Sequence, residues 1–121
     1  MVYNLEIRTF EFAKRIRAFV NQLPKTIATI EDGKQVVRSS GSVGANYIEA
    51  NESLGKKDFV MRLKISRKEA KESKYWLELI EVGNNDFLAT EKVNLVKEAE
   101  ELQKILSSII GKISFPNETK F

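Results

Sequence analysis

The sequence predicts an all-α protein, an antiparallel, up-down-up-down four-helix bundle with left-handed packing. Three observations carry that prediction. Apolar or small residues recur at alternating steps of four and three in four separate segments, the spacing that keeps one stripe of a helix against a partner. No segment alternates with the period of two that a half-buried strand needs. The breaks between segments are short, and short connections favour antiparallel neighbours.

The first segment runs Leu5, Thr9, Phe12, Ile16, Phe19 and Leu23, and Pro24 stops it, predicting a helix over 5–23. The second, Val36, Ser40, Val43, Tyr47, Ala50 and Leu54, predicts a helix over 34–54. The third runs Phe59, Leu63, Ser66, Ala70, Ser73, Leu77 and Ile80, a helix over 57–82. Asp58 suits its cap or first turn, and Gly83, Asn84 and Asn85 suit its stop. The fourth runs Leu95, Ala99, Leu102, Leu106, Ile109 and Ile113, a helix over 91–113 opened by Thr90 and Glu91. The breaks read "PKTIATIEDG", "GKK" and "VGNNDFLATE", and residues 114–121 read as a frayed tail.

At 121 residues the chain is the length of one domain with one core. It contains no cysteine and no histidine. That excludes disulfides, thiolate catalysis, a Ser-His-Asp triad, H-E-x-x-H zinc sites and Glu-x-x-His di-iron sites. Neither a metal nor a cofactor is expected. No run of about 18 apolar residues offers a membrane span. "MVYNLEIRTFEF" has scattered charges in place of an apolar stretch, so no signal peptide is expected and a cytoplasmic setting is. The net charge of +3 is mildly basic.

One stretch, "RSSGSVGANYIEANES" at 38–53, holds two glycines in G-x-x-G spacing. A KH-type clamp carries basic residues beside that spacing and sits in a mixed sheet-and-helix domain, whereas "GSVG" has no Lys or Arg. A P-loop needs G-x-x-x-x-G-K-[ST], which is absent. The apolar period runs through the stretch without a slip, so it reads as helix. Gly41 and Gly44 fall with Val37 and Ile48 on a second seam, where they lower the surface for a neighbouring helix. That neighbour is either in the same chain or in another subunit. Asn46 and Glu49 suit helix–helix hydrogen bonds, and Arg38 suits a structural role.

The third segment carries further apolar residues, Met61, Ile65, Trp76 and Leu79, beside its core seam, and Ile7 and Phe10 lie off the seam of the first. They fit either a generously wrapped core or a surface between subunits, and the excess of apolar arc favours the second. An arc of cations on the third segment holds Lys57, Lys64, Arg67, Lys68, Lys71 and Lys74. Such a face is ordinarily solvated, its charges paired with carboxylates at helical spacing such as Glu72 and Glu78. Repeated by symmetry, it becomes a field able to hold a phosphate backbone. Only Tyr75 offers an aromatic platform there, so base-specific readout is not expected.

"RSSGSVGANYIEANES" and "KKDFVMRLKISRKEAKESKYWLELI" together resemble the bacterial four-helix-bundle family of the 23S ribosomal RNA intervening-sequence protein. Its pattern R-S-x-x-S-[IV]-[GP]-A-N-x-x-E matches Arg38, Ser39, Ser42, Val43, Gly44, Ala45, Asn46 and Glu49. D-F and K-E-A-x-E-[ST]-x-Y-W-L match Asp58, Phe59, Lys68, Glu69, Ala70, Glu72, Ser73, Tyr75, Trp76 and Leu77. Many members have proline where Gly44 stands, and an apolar residue where Arg67 stands. The resemblance spans roughly residues 5–110 and implies an antiparallel four-helix bundle. Related proteins include the accessory protein of diversity-generating retroelements, a basic homopentamer that binds nucleic acid and a reverse transcriptase. The family has no accepted catalytic residues.

The expected function is therefore a non-catalytic homo-oligomer, a pentamer by this resemblance, that holds RNA or DNA by phosphate contacts on the third helix. The alternative is an oligomeric scaffold that recruits a protein partner without touching nucleic acid. A HEPN-type ribonuclease is disfavoured because its R-x(4-6)-H motif needs a histidine.

Overall fold

The computed structural model describes residues 4–114. Four helices follow in order, α1 (Leu5–Asn21), α2 (Ile27–Asn51), α3 (Lys56–Leu79) and α4 (Asp86–Ser114). They form an all-α four-helix bundle. Cross-helix contacts set the direction of each pair. Glu6 meets Asn51 and Thr9 meets Gly44 between α1 and α2. Val43 meets Ser66 and Ser39 meets Ser73 between α2 and α3. Arg67 meets Ser107 and Lys74 meets Glu100 between α3 and α4, while Arg8 meets Glu98 and Arg15 meets Glu91 between α1 and α4. In every pair one number rises as the other falls, so each adjacent pair is antiparallel.

The buried residues follow the 3–4 pattern. Leu5, Thr9, Phe12, Ile16 and Phe19 of α1 are buried, with Leu23 just beyond it. They meet Val36, Val43 and Ala50 of α2, Leu63, Ala70 and Leu77 of α3, and Leu88, Leu95, Ala99, Leu102 and Leu106 of α4. The fill is aromatic on α1 and small on α2 and α3, where Ser39, Ser40, Ser66 and Ser73 are all buried. Small side chains let those two backbones come close. The Ser66 hydroxyl donates across the gap to the Val43 carbonyl at 2.7 Å, and the Ser39 and Ser73 hydroxyls lie 2.8 Å apart.

Capping explains where the helix ends depart from the expected ones. α2 begins at Ile27, about two turns before the expected residue 34, because Thr26 caps it by accepting the Thr29 amide at 3.1 Å. The residues that carry its seam there are Thr29 and Gly33, while Ile27 and Ile30 face solvent. α4 begins at Asp86, where Asn85 accepts the Leu88 amide at 3.0 Å, so Thr90 and Glu91 stand inside the helix. α3 ends at Leu79, short of 82. Lys92 of α4 closes that end by donating to the carbonyls of Ile80 (2.7 Å) and Glu78 (3.1 Å). Gly83, at φ +71°, turns the link in a region that favours glycine. Leu54, expected on the core seam, is fully exposed in the loop after α2. The expected frayed tail lies outside the described residues except for Ser114, the last residue of α4.

Gly44 is packed by its own chain. A Cβ there would lie 2.8 Å from Thr9 Oγ1 and 3.2 Å from Thr9 Cβ on α1. Thr9 cannot swing aside, because it is buried and its hydroxyl donates to the Leu5 carbonyl at 2.6 Å. Among the described residues, a Cβ at Gly41 would meet only the end of the long Arg17 side chain, at 3.4 Å, and one at Gly111 nothing within 4 Å. Three substitutions therefore separate by sign. Gly44→Ala should lose about 1–3 kcal/mol to overpacking, offset by about 1 kcal/mol of helix propensity. Gly41→Ala and Gly111→Ala should gain about 0.5–1 kcal/mol, since only the propensity changes. Urea melts of the three variants check the ordering.

Candidate nucleic-acid interface

Burial of Leu63, Ser66, Ala70, Ser73 and Leu77 fixes which side of α3 faces out. At about 100° per residue, the positions opposite that stripe are Lys57, Met61, Lys64, Lys68, Tyr75 and Leu79, with Lys71 at their edge. All seven are exposed. From Lys57 to Lys71 the row extends about 21 Å at the helical rise.

The six cations expected to act together divide into two sets. Lys57, Lys64, Lys68 and Lys71 have no carboxylate within ion-pair distance among the described residues. Arg67 and Lys74 lean toward α4. Arg67 donates to Ser107 Oγ at 3.1 Å, and Lys74 pairs with Glu100 at 2.8 Å. The hydrogen bond and charge of Glu100 hold the Lys74 ammonium above its usual range, and Lys74 in turn holds the Glu100 carboxyl below its own. Lys74 therefore already has a carboxylate partner. Lys56, outside the expected set, joins Lys57, Lys64 and Met61 along an open groove at the start of α3. Its adjacency to Lys57 in sequence was the available signal.

Of the two carboxylates expected to neutralise the row along α3, Glu72 is committed to Arg38, while Glu78 is exposed and its carboxylate pairs with none of the row's lysines among the described residues. Arg38 of α2 reaches Glu69 and Glu72, each at 3.2 Å, and Glu69 is buried. Arg38 is thus a structural clamp between α2 and α3. Two forked pairs, Arg8 with Glu98 (2.7 and 2.9 Å) and Arg15 with Glu91 (3.1 and 3.3 Å), join α1 to α4. Asn46 donates to the Ser42 carbonyl of its own helix at 2.9 Å, where a bond to another helix was expected. Glu49 is exposed.

The apolar residues of α3 do not form one separate arc. Met61 and Leu79, 48% and 46% exposed, lie among the lysines, whereas Ile65 and Trp76 are half-buried. Trp76 Nε1 is buried with no hydrogen-bond partner. Further exposed apolar surface lies on α1 and α2. Phe10, Ala13, Ala45 and Ile48 line a groove of about 450 Å³ beside Gly41 and Gly44, and Ile7 is exposed on the same helix as Phe10. Among the described residues no three acidic side chains gather as a metal site. No described helix is long and apolar enough to cross a membrane.

A model of the 23S rRNA-intervening sequence protein family matches residues 4–108. The chain belongs to this family. A solved structure similar to it is that of a protein with unknown function from the S23 ribosomal protein family of Bacteroides thetaiotaomicron VPI-5482. The two share 32% sequence identity over 87% of this chain and 96% of that one, with a TM-score of 0.71. No curated protein matches the chain.

The Lys74–Glu100 pair gives a pH signature. With Glu100 held low, its contribution to stability is present above the ordinary glutamate value of about 4.3 and is lost as pH falls through the lowered value. The gap in melting temperature between wild type and Glu100→Gln should be constant from pH 6 to 9 and close as the solution is acidified below about pH 4.3. Thermal melts across that range check it.

Proposed function

We propose that this family member is a non-catalytic homo-oligomer that binds nucleic acid through the outward face of α3. The observation that carries this reading is the row of Lys57, Lys64, Lys68 and Lys71, exposed and without carboxylate partners among the described residues. A solvated face can offset its cations with carboxylates three or four residues away along the helix. Here Glu72, one turn after Lys68, and Glu100 of α4 are committed to Arg38 and Lys74. Contacts from such a row are to phosphates, so they are independent of base sequence and sensitive to salt.

Self-association is supported by Ile7, Phe10 and Ile48, which are 59%, 61% and 48% exposed and not needed by the chain's own core. A pentamer is the form that the family resemblance implies, as in the accessory protein of diversity-generating retroelements. Repeating the row around a symmetric assembly multiplies its field without further basic residues. A cytoplasmic setting accords with this reading. The same apolar groove favours a second reading, an oligomeric scaffold for a protein partner, in which nucleic acid plays no part.

Light scattering after size exclusion, with and without a 20-base-pair duplex, tests the proposal. The expected result is a multiple of 13.8 kDa that takes up the duplex. The logarithm of affinity should fall against the logarithm of salt with a slope of about −3 to −4 per protomer, as four phosphate contacts require. Joint change of Lys64, Lys68 and Lys71 to Glu should abolish uptake and leave the mass unchanged, whereas Lys74→Ala should leave the slope as it was. A monomer refutes the assembly. Assembly without salt-sensitive binding refutes the nucleic-acid role and leaves the scaffold.

A further inference from the structure

Tyr75 is the one aromatic residue on the lysine face of α3. It lies four residues after Lys71, seven after Lys68 and eleven after Lys64, which keeps it within about 40° of each around the helix. Its side chain is 57% exposed, although a phenol ring carries a large apolar area that folding tends to remove from water. The ring is also held in place. Its centroid lies 5.1 Å from that of Trp76 at an interplanar angle of 74°, an edge contact with a side chain that is itself half-buried. Leu79, one turn further on and 46% exposed, forms an apolar ledge beside it.

An exposed aromatic face beside a row of cations is the equipment of a single-strand binder. Cations follow the phosphates, and the ring takes a base whose face is free. In a duplex every base face is already covered by its neighbours, so the ring gains nothing there. From these placements we infer that the α3 face takes unpaired nucleic acid in preference to duplex, with Tyr75 stacking on one base while Lys64, Lys68 and Lys71 hold the flanking phosphates. The inference rests on the nucleic-acid reading of the same face and adds the class of strand. Stacking is indifferent to base identity, so it does not require a sequence motif in the ligand. Lys71 and Lys68 precede Tyr75 by about 6 and 10 Å along the axis, so the phosphates contacted lie to one side of the stacked base.

Fluorescence anisotropy with labelled 20-nucleotide oligothymidine, 20-nucleotide oligouridine and a 20-base-pair DNA duplex, all at one salt concentration, tests it. The wild-type protein should bind one or both single strands more tightly than the duplex. Tyr75→Ala should weaken single-strand binding about tenfold and leave duplex binding unchanged, while Tyr75→Phe, which keeps the ring, should bind as wild type does. Trp76 is the only tryptophan in the chain, so its emission reports stacking on the ring beside it. It should be quenched by the single strands in wild type and in Tyr75→Phe, and less in Tyr75→Ala. Equal effects of Tyr75→Ala on strand and duplex, or none, would overturn the inference alone. Binding to none of the probes, or binding that survives the Lys64, Lys68 and Lys71 to Glu changes, would overturn the underlying reading and this one with it.

Discussion

Everything in this bundle depends on α2 having almost no side chain on two of its faces. Toward α1 it presents Gly33 and Gly44, the second against a threonine fixed by its own hydrogen bond. Toward α3 it presents Ser39 and Val43, against Ser73 and Ser66. Backbones that approach this closely bury polar atoms, and each buried hydroxyl must find a partner or cost about 1–3 kcal/mol. The Ser66 bond to the Val43 carbonyl and the Ser39–Ser73 contact meet that requirement across the helix pair. Glycine in a helix interior costs about 1 kcal/mol each time, so the close contact has to return that energy in packing.

The close pairing of α2 with α3 also decides the charge pattern outside it. Arg38 stands where two acids of α3 are within reach, and it takes both. On the other flank, Lys74 and Arg67 turn toward α4 and take Glu100 and Ser107. What remains on the crest of α3 is positive charge, while Glu69, Glu72 and Glu100 are taken by other cations. A modest net charge of +3 thus becomes a local row of four ammonium groups unpaired among the described residues. The basic face and the bundle's internal ion pairs are two consequences of one packing arrangement.

Much of the fold was legible in the sequence. The seams of α1 and α3 match burial almost residue for residue, because large apolar residues at 3–4 spacing leave little choice of facing. The starts of α2 and α4 were hidden for a physical reason. Thr29 and Gly33 continue the α2 phase but carry little hydrophobic signal, and the conspicuous Ile27 and Ile30 point outward. Leu88 stands seven residues before Leu95 in phase and would have placed α4 earlier, had Asn85 been read as its cap rather than as the stop of α3. The candidate site was legible as a set of cations but not as a set of free ones. Pairing of Arg38 with Glu69 and of Lys74 with Glu100 depends on tertiary register, which spacing along one helix does not encode.

The central claim is that the unpaired lysines on the crest of α3 are the surface that meets nucleic acid. Lysine acetylation footprinting read by mass spectrometry, with and without saturating oligonucleotide, tests it directly because each amine reports separately. Lys57, Lys64, Lys68 and Lys71 should become protected on binding, while the exposed Lys97 and Lys104 of α4 keep their reactivity. Protection that appears on α4 and not on α3, or that is uniform over the surface, would contradict the account.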